Sequence, residues 1–265
     1  MTSSLPQQAP PPQSWLPSWT RTLNEPEALT LLELAVPGRP LAEWIVEGHA
    51  AIPQGSLARR RELVGIVRDE LLDWQDGAVK NTAFLQLFHG GSASRRRGLV
   101  RARLLSQRPL ILPALTTLVR PALLRSEAPL APADAGLIPA SEWDRWLRSV
   151  LRPGLPEEAF KKTRSTLHTA LAMAGCITII GQKTRLTRAT RGAPDSVALA
   201  WALADQLRRG AGECDEAWAV AHSFPALLFA PRAGEAGQAV EVGIAHGILR
   251  RSFLAGRARL LAGEA

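Results

Sequence analysis

Residues 161–191 read KKTRSTLHTALAMAGCITIIGQKTRLTRATR, and the fold is decided there. A basic-headed amphipathic segment runs into Gly175. The apolar, β-branched run Cys176-Ile177-Thr178-Ile179-Ile180 then meets a polar turn, Gly181-Gln182-Lys183-Thr184, and Arg185-Leu186-Thr187-Arg188 leads back out. Helical spacing followed by two β-prone runs around a Gly-containing turn predicts a helix and a hairpin. Together they outline a winged helix, a shape that commonly docks on duplex nucleic acid. Phe160, Leu167, Leu171 and Ala174 are expected to face inward, leaving Lys161, Lys162, Arg164, Ser165 and His168 outward, with Lys183 and Arg185 at the hairpin. The stretch holds seven basic residues, Arg188 and Arg191 included, and no carboxylate.

Outward from this unit the pattern is overwhelmingly helical. Residues 1–20 are rich in Pro, Gln and Ser and read as a disordered tail. A first helical lobe is expected over 21–127, an Ala/Pro linker over 128–140, and a second lobe over 141–265 that contains the winged-helix-like unit at about 156–209. Asn24 can cap the first helix, Ser92 or Ser94 a later one, and Pro194-Asp195-Ser196 starts another. Pro109 to Leu124 reads as a proline-punctuated core helix, and Val240 to Leu261 as the last helix. No internal repeat is visible, and strands are expected in the one hairpin. The expected class is mainly α: a helical bundle with a winged-helix-like unit that carries one short β-hairpin.

The charge is uneven. The chain carries +8 in all, with 13 basic against five acidic residues over 56–125 and seven against two over 156–192, while the flanks are neutral or acidic. Such clustering suggests a footprint for a polyanion. Only four of the 32 basic residues are lysine and tyrosine is absent, which is what a GC-rich genome produces, so arginine by itself says nothing about phosphate. Codon bias explains which residues are used, not where they cluster.

The first block centres on Ser94-Arg95-Arg96-Arg97-Gly98-Leu99-Val100-Arg101-Ala102-Arg103, a helix start behind Gly90-Gly91. Arg95, Arg96, Arg97, Arg101 and Arg103 are candidate phosphate ligands, because arginines at a positive helix N-terminus are unfavourable without an anion nearby. A solvated basic face, or pairing with Asp69, Glu70, Asp73 and Asp76, accounts for the same residues.

No catalytic or metal pattern emerges. His49, His89, His168, His222 and His246 are scattered, two cysteines are too few for a zinc site or a disulfide framework, and neither G-x-S-x-G nor G-x-x-x-x-G-K-[ST] occurs. No metal, cofactor or enzymatic activity is expected. The tryptophans fall at core spacings. Nothing resembles a membrane span or a secretory signal, so a cytoplasmic protein is expected.

Two blocks together resemble BrxA, the small basic subunit of BREX (bacteriophage exclusion) defence systems. They are Asn81-Thr82-Ala83-Phe84-Leu85-Gln86-Leu87 leading to Ser92-Ala93-Ser94-Arg95-Arg96-Arg97 and Arg101-Ala102-Arg103-Leu104, and Thr163-Arg164-Ser165-Thr166-Leu167 through Ala174-Gly175-Cys176-Ile177. The resemblance covers roughly 80–210, and the chain is longer than the family at both ends. It implies an all-helical protein, partly similar to the NusB-type helical fold, with a winged or helix-turn-helix element that binds double-stranded DNA without catalysis, in company with a methyltransferase, an ATPase and a phosphatase-like subunit. The expected function is thus a DNA-binding accessory protein of phage defence, holding phosphates through Arg95, Arg96, Arg97, Arg101, Arg103, Lys161, Lys162, Arg164, Lys183 and Arg185, with weak sequence preference. A scaffold or adaptor that docks protein partners, or an RNA-binding helical protein, are the alternatives.

Overall fold

The computed structural model describes residues 25–53, 55–181, 186–192, 195–210 and 212–263. The proline-rich tail, Asn24, Pro194 and the hairpin residues Gln182, Lys183, Thr184 and Arg185 lie outside them. The class is mainly α, as expected, with short strands in small sheets.

The chain begins with α1 (Glu25–Glu33), α2 (Leu41–Ala51) and α3 (Leu57–Glu70), followed by a two-residue hairpin, β1 (Trp74–Gln75) and β2 (Ala78–Val79). Then come α4 (Ala83–His89), α5 (Ala93–Ser106) and α6 (Ile111–Ala114), a π-helical turn at Leu115–Val119, and α7 (Arg120–Ser126). The second half runs β3 (Leu137–Ile138), α8 (Ala140–Val150), α9 (Glu157–Met173), β4 (Ile177–Ile180) and β5 (Leu186–Ala189). It ends with α10 (Ser196–Arg209), β6 (Glu213–Asp215), α11 (Glu216–His222), α12 (Phe224–Phe229), α13 (Ala233–Ala245), β7 (Leu249–Leu254) and β8 (Arg257–Ala262).

Local chemistry explains many of the boundaries. The hydroxyls of Ser56, Thr82 and Ser92 accept from backbone N–H groups three residues on, and Asp195 accepts from Val197 and Ala198, so each satisfies orphan donors at a helix start. The helix expected over 109–124 is continuous but changes pitch. Pro121 has no N–H to give, and the N–H of Arg120 reaches back five residues to the Leu115 carbonyl.

Three sequence expectations change. Strands are not confined to one hairpin. Residues 249–262, expected as helix, form the longest strand pair, because Ala255 and Gly256 both take the left-handed conformation (φ 49° and 76°) and close a tight turn. Asp76 and Gly77 do the same between β1 and β2 (φ 53° and 75°). The segment expected as a linker, 128–140, contains β3, which pairs antiparallel with β5 through Leu137 opposite Arg188 and Ile138 opposite Thr187.

An order of elements also recurs. A helix, a strand, further helices and a hairpin appear three times, with two helices between strand and hairpin in the first two units and three in the last, and each time the first strand pairs with the last. In the N-terminal unit Pro40 bridges to Ala78 of β2, and β2 pairs with β1. In the middle unit, led by α7, the sheet order is β3-β5-β4; in the C-terminal unit, led by α10, it is β6-β8-β7. The first strand shrinks to one residue in the first unit, and the three share no visible sequence pattern.

One hydrophobic cluster runs from Ala28 to Leu260 through all three units. Helix α10, SVALAWALADQLRR, is its axis, with Val197 through Ala204 and Leu207 buried. Small residues set how closely it is approached. A Cβ built on Gly98 of α5 would lie 2.7 Å from that of Ala198, and one on Gly243 of α13 would lie 2.8 Å from that of Ala200. Asp195 adds a polar tie, accepting from Arg95 Nε at 3.3 Å while capping α10.

Candidate nucleic-acid interface

The middle unit positions the expected recognition segment. Helix α8 buries Trp143, Trp146 and Leu147, the chain turns at Pro153-Gly154, and α9 follows. The Trp143 indole N–H donates to Thr187 Oγ1 of β5 at 2.9 Å, fixing α8 against the hairpin. Phe160, Leu167, Leu171 and Ala174 face inward, as their spacing predicts.

Arg164 and His168 do not point outward. Arg164, its side chain 10% exposed, donates to Asp144 of α8 and lies over the Phe160 ring at 5.9 Å. His168 meets Trp143 edge-on at 4.7 Å. Burial, then the nearby Arg164 charge, pushes its pKa down to about 4, against the opposing pull of Asp144. The helix buries a wider face than its apolar residues mark, because an ion pair and a neutral imidazole fill the α8–α9 contact.

The outward ridge of α9 is therefore Lys161, Lys162, Ser165 and Thr169. Lys161 approaches Glu158 at 3.2 Å, but both are open to solvent, where such pairs contribute little. Lys162 is exposed, as are Arg145 on α8 and Arg152 in the turn, and among the described residues none of the three forms an ion pair. Sequence reading missed the two arginines; treating α8 and α9 as one helix-turn-helix would have found them. Lys183 and Arg185 lie outside the described residues. Arg188 donates to the Ala133 carbonyl at 3.4 Å. Arg191 grips both oxygens of Glu127 at 2.5 Å and the Ala230 carbonyl, and this contact holds the Glu127 carboxyl below the usual carboxylate range.

The arginine block on α5 is engaged within the chain. Arg95 pairs with Asp195 (3.3 Å), Arg96 with Glu33 (3.1 Å), Arg97 and Arg101 with Glu25 (3.1 and 2.7 Å), and Arg103 with Asp73 (2.9 Å). Arg96 also donates to the carbonyls of Phe88 and His89, capping the end of α4. Arg103 donates to the Glu70 carbonyl and lies 4.9 Å over Phe84. The anions that an arginine-rich helix start demands are thus present, and they come from α1, the turn after α3 and the cap of α10. Of the carboxylates weighed as partners from sequence, Asp73 is used. Arg101→Ala is expected to lower stability by about 1–2 kcal/mol in denaturant titration, intermediate between an exposed and a buried pair, because Glu25 is only 12% exposed. Duplex affinity should not change with it.

Charge separates the three units. Residues 25–79 carry ten acidic and five basic side chains, residues 120–189 six and 11, and residues 196–262 six and seven. The net values are −5, +5 and +1. The seven basic side chains of residues 80–119, which belong to none of the three, are largely paired with carboxylates of the first unit. The positive excess of the middle unit instead stays open to solvent at Lys162, Arg145 and Arg152.

No acid–base or metal constellation accompanies these surfaces. Among the described residues no three His, Cys, Asp or Glu side chains gather as a metal would require. Burial pushes the Cys176 thiol up to about 12 and the Cys214 thiol to about 11, so neither supplies a thiolate at neutral pH. His89 closes α4 and contacts the Ala35 carbonyl through Nε2 at 3.0 Å. Trp44, Trp143, Trp146 and Trp201 are buried packing residues rather than a stacking platform. No described helix is long and apolar enough to cross a membrane.

No family model and no curated protein matches the chain. A solved structure described as magnesium ion-bound SspB is similar in fold, with a TM-score of 0.52 over 95% of this chain and 84% of that one, at 14% sequence identity. At that identity the likeness concerns the arrangement of elements alone.

Proposed function

We propose that this chain is a non-catalytic, double-stranded DNA-binding accessory protein built from three winged-helix units, of which the middle one meets the duplex. The observation that carries the reading is the outward lysine ridge on the second helix of a +5 unit, with Lys162, Arg145 and Arg152 exposed and forming no ion pair among the described residues. Helix α9 would lie in or along the major groove, with Lys161, Lys162, Arg145 and Arg152 on phosphates. Ser165 and Thr169 are the polar side chains left on the ridge for base edges, so sequence preference is weak. The resemblance to BrxA supports a place in a BREX-like defence system, with methyltransferase, ATPase and phosphatase-like partners, in the cytoplasm of a bacterium. Relative to the sequence reading, weight moves from the Arg95–Arg103 block to the α8–α9 face.

Reversing Lys161 and Lys162 to glutamate together should weaken binding to unrelated duplexes by about 10- to 100-fold at moderate salt and flatten the salt dependence by roughly two units of slope. Gel shift or fluorescence anisotropy across a salt series reads both. Wild-type affinity and slope in the double variant would remove α9 from the interface.

The N-terminal unit favours a second role. Its exposed α2 face presents Glu43, Val46 and Glu47, a surface that repels a polyanion and suits a basic protein partner. An adaptor contact of this kind survives nuclease treatment in a pull-down, whereas a DNA bridge does not.

A further inference from the structure

The hairpin of the C-terminal unit combines features that belong together on one kind of ligand. From Leu249 to Ala262 it carries four arginines and no carboxylate. Its two six-residue strands are the longest in the described chain, and they end in the tight Ala255-Gly256 turn. Just before that turn Phe253 is 74% exposed and Leu254 59% exposed, on the two opposite faces of the ribbon's tip, which runs beyond the stretch paired with β6. Leu254 pairs across the hairpin with Arg257, which is exposed and forms no ion pair among the described residues. Further back, Arg251 is held by Glu216 (2.7 Å) and Glu241, and Arg259 by Glu213 (2.8 Å). These pairs tie the base of the ribbon to β6, α11 and α13, so the tip is presented on a braced stem.

An exposed Phe-Leu pair at a hairpin tip has two ordinary uses, a protein contact or an apolar wedge. Size and charge decide between them. Two side chains offer far less than the roughly 800 Å² per partner that a stable protein interface buries, and among the described residues of this unit they are the large apolar side chains left exposed. A wedge needs only such a tip, with arginine beside it for the backbone and the groove floor.

We infer that Phe253 and Leu254 form a wedge that enters the minor groove of duplex DNA and opens a base step, with Arg257 contacting the groove beside it. This rests on the duplex-binding reading above and adds a second contact that deforms the DNA where α9 only holds it. On the neighbouring helix Glu241 is paired with Arg251, which it shares with Glu216 of α11. Flexible pyrimidine–purine steps in A·T-rich sequence, the cheapest to unstack, should be preferred.

The test uses the full chain, freed of nucleic acid, and a short duplex with a central TA step. The duplex carries a donor–acceptor pair on its ends and 2-aminopurine at the step. Wild-type protein should shorten the end-to-end distance, consistent with a bend of roughly 20–90°, and raise the 2-aminopurine signal. Phe253→Ala/Leu254→Ala should still bind, about tenfold more weakly at most, with both signals lost. Both positions are exposed, so melting should be unchanged, and Phe253→Trp should restore the signals. Binding without bending by the wild type would overturn the wedge alone. So would bending unchanged in the double alanine variant, or a loss of self-association in that variant seen by sedimentation, which would assign the tip to a second copy. Absence of any duplex binding at low salt would overturn the duplex-binding reading itself, and the wedge with it.

Discussion

Gly98→Val should lower the melting temperature by roughly 5–10 °C, because it drives a branched side chain into the crossing of α5 and α10. Even a bare Cβ at position 98 would stand 2.7 Å from that of Ala198, well inside contact distance. Neither helix can retreat freely. Helix α10 is buried along its length, its N-terminus is tied through Asp195 to Arg95, and its far face meets Gly243 of α13 at similarly close range. Overpacking of such a site costs about 1–3 kcal/mol, and for a chain of this size each kcal/mol moves the melting point by roughly 2–4 °C. The compensating change is specific. Ala198→Gly removes the opposing methyl group and should recover part of the loss, whereas Ala200→Gly, one turn-face away, should not. Equal behaviour of the two double variants would show that the damage arises elsewhere than at the crossing.

The second large effect is acid sensitivity centred on His168. In the folded chain its pKa sits at about 4, chiefly because burial disfavours the charged ring; unfolded, it returns to the ordinary histidine value of 6.5. Between these values the unfolded chain binds the proton and the folded chain does not, so stability rises with pH across the window. The contribution is complete above about pH 6.5 and is lost progressively as the pH falls towards 4, for a total of about 3 kcal/mol. His168→Phe keeps an aromatic ring against Trp143 and cannot titrate. Urea midpoints measured from pH 7 to pH 4 should fall steeply in the wild type and less so in the variant. Parallel curves would show that another group carries the acid response. Both His168 and Arg164 leave a ring or guanidinium nitrogen buried without a partner, Nε2 and Nε respectively, which fits a contact tuned for the neutral imidazole.

How much was legible in the sequence depended on the reach of each signal. Caps were legible, since Ser92 and Asp195 act on N–H groups two or three residues away. The hairpin after Gly175 was legible because β-branched residues cluster there. The one at 249–262 was not: RSFLAGRARLL fits a helical period as well as an alternating one, and only the Ala-Gly turn breaks the tie. Asp76-Gly77 was a plain hairpin signal that the apolar periods on either side obscured. The rotation of α9 failed for a different reason. Arg164 and His168 look like surface residues until Asp144 and Trp143, 20 and 25 positions earlier, are placed beneath them.

The arginine block shows the limit of counting charge in windows. A window over 56–125 sees 13 cations and five anions, but Glu25, Glu33 and Asp195, which balance much of the block, lie outside it. Clustered arginine demands anions, and the fold supplies them from positions distant in sequence. The middle unit keeps its positive excess after the same accounting, since Lys162, Arg145 and Arg152 remain without ion pairs among the described residues.

Helix α10 leads the third repeat of the topology, yet it packs as closely on α5, ahead of the second repeat, as on its own α13. Threefold repetition of a shape therefore does not make three exchangeable modules. Cutting the chain between the second and third repeats would strip an alanine face that only α5 fits, and recombining a repeat into another host would carry the same bare face along. What has been multiplied is a topology; what folds is the whole.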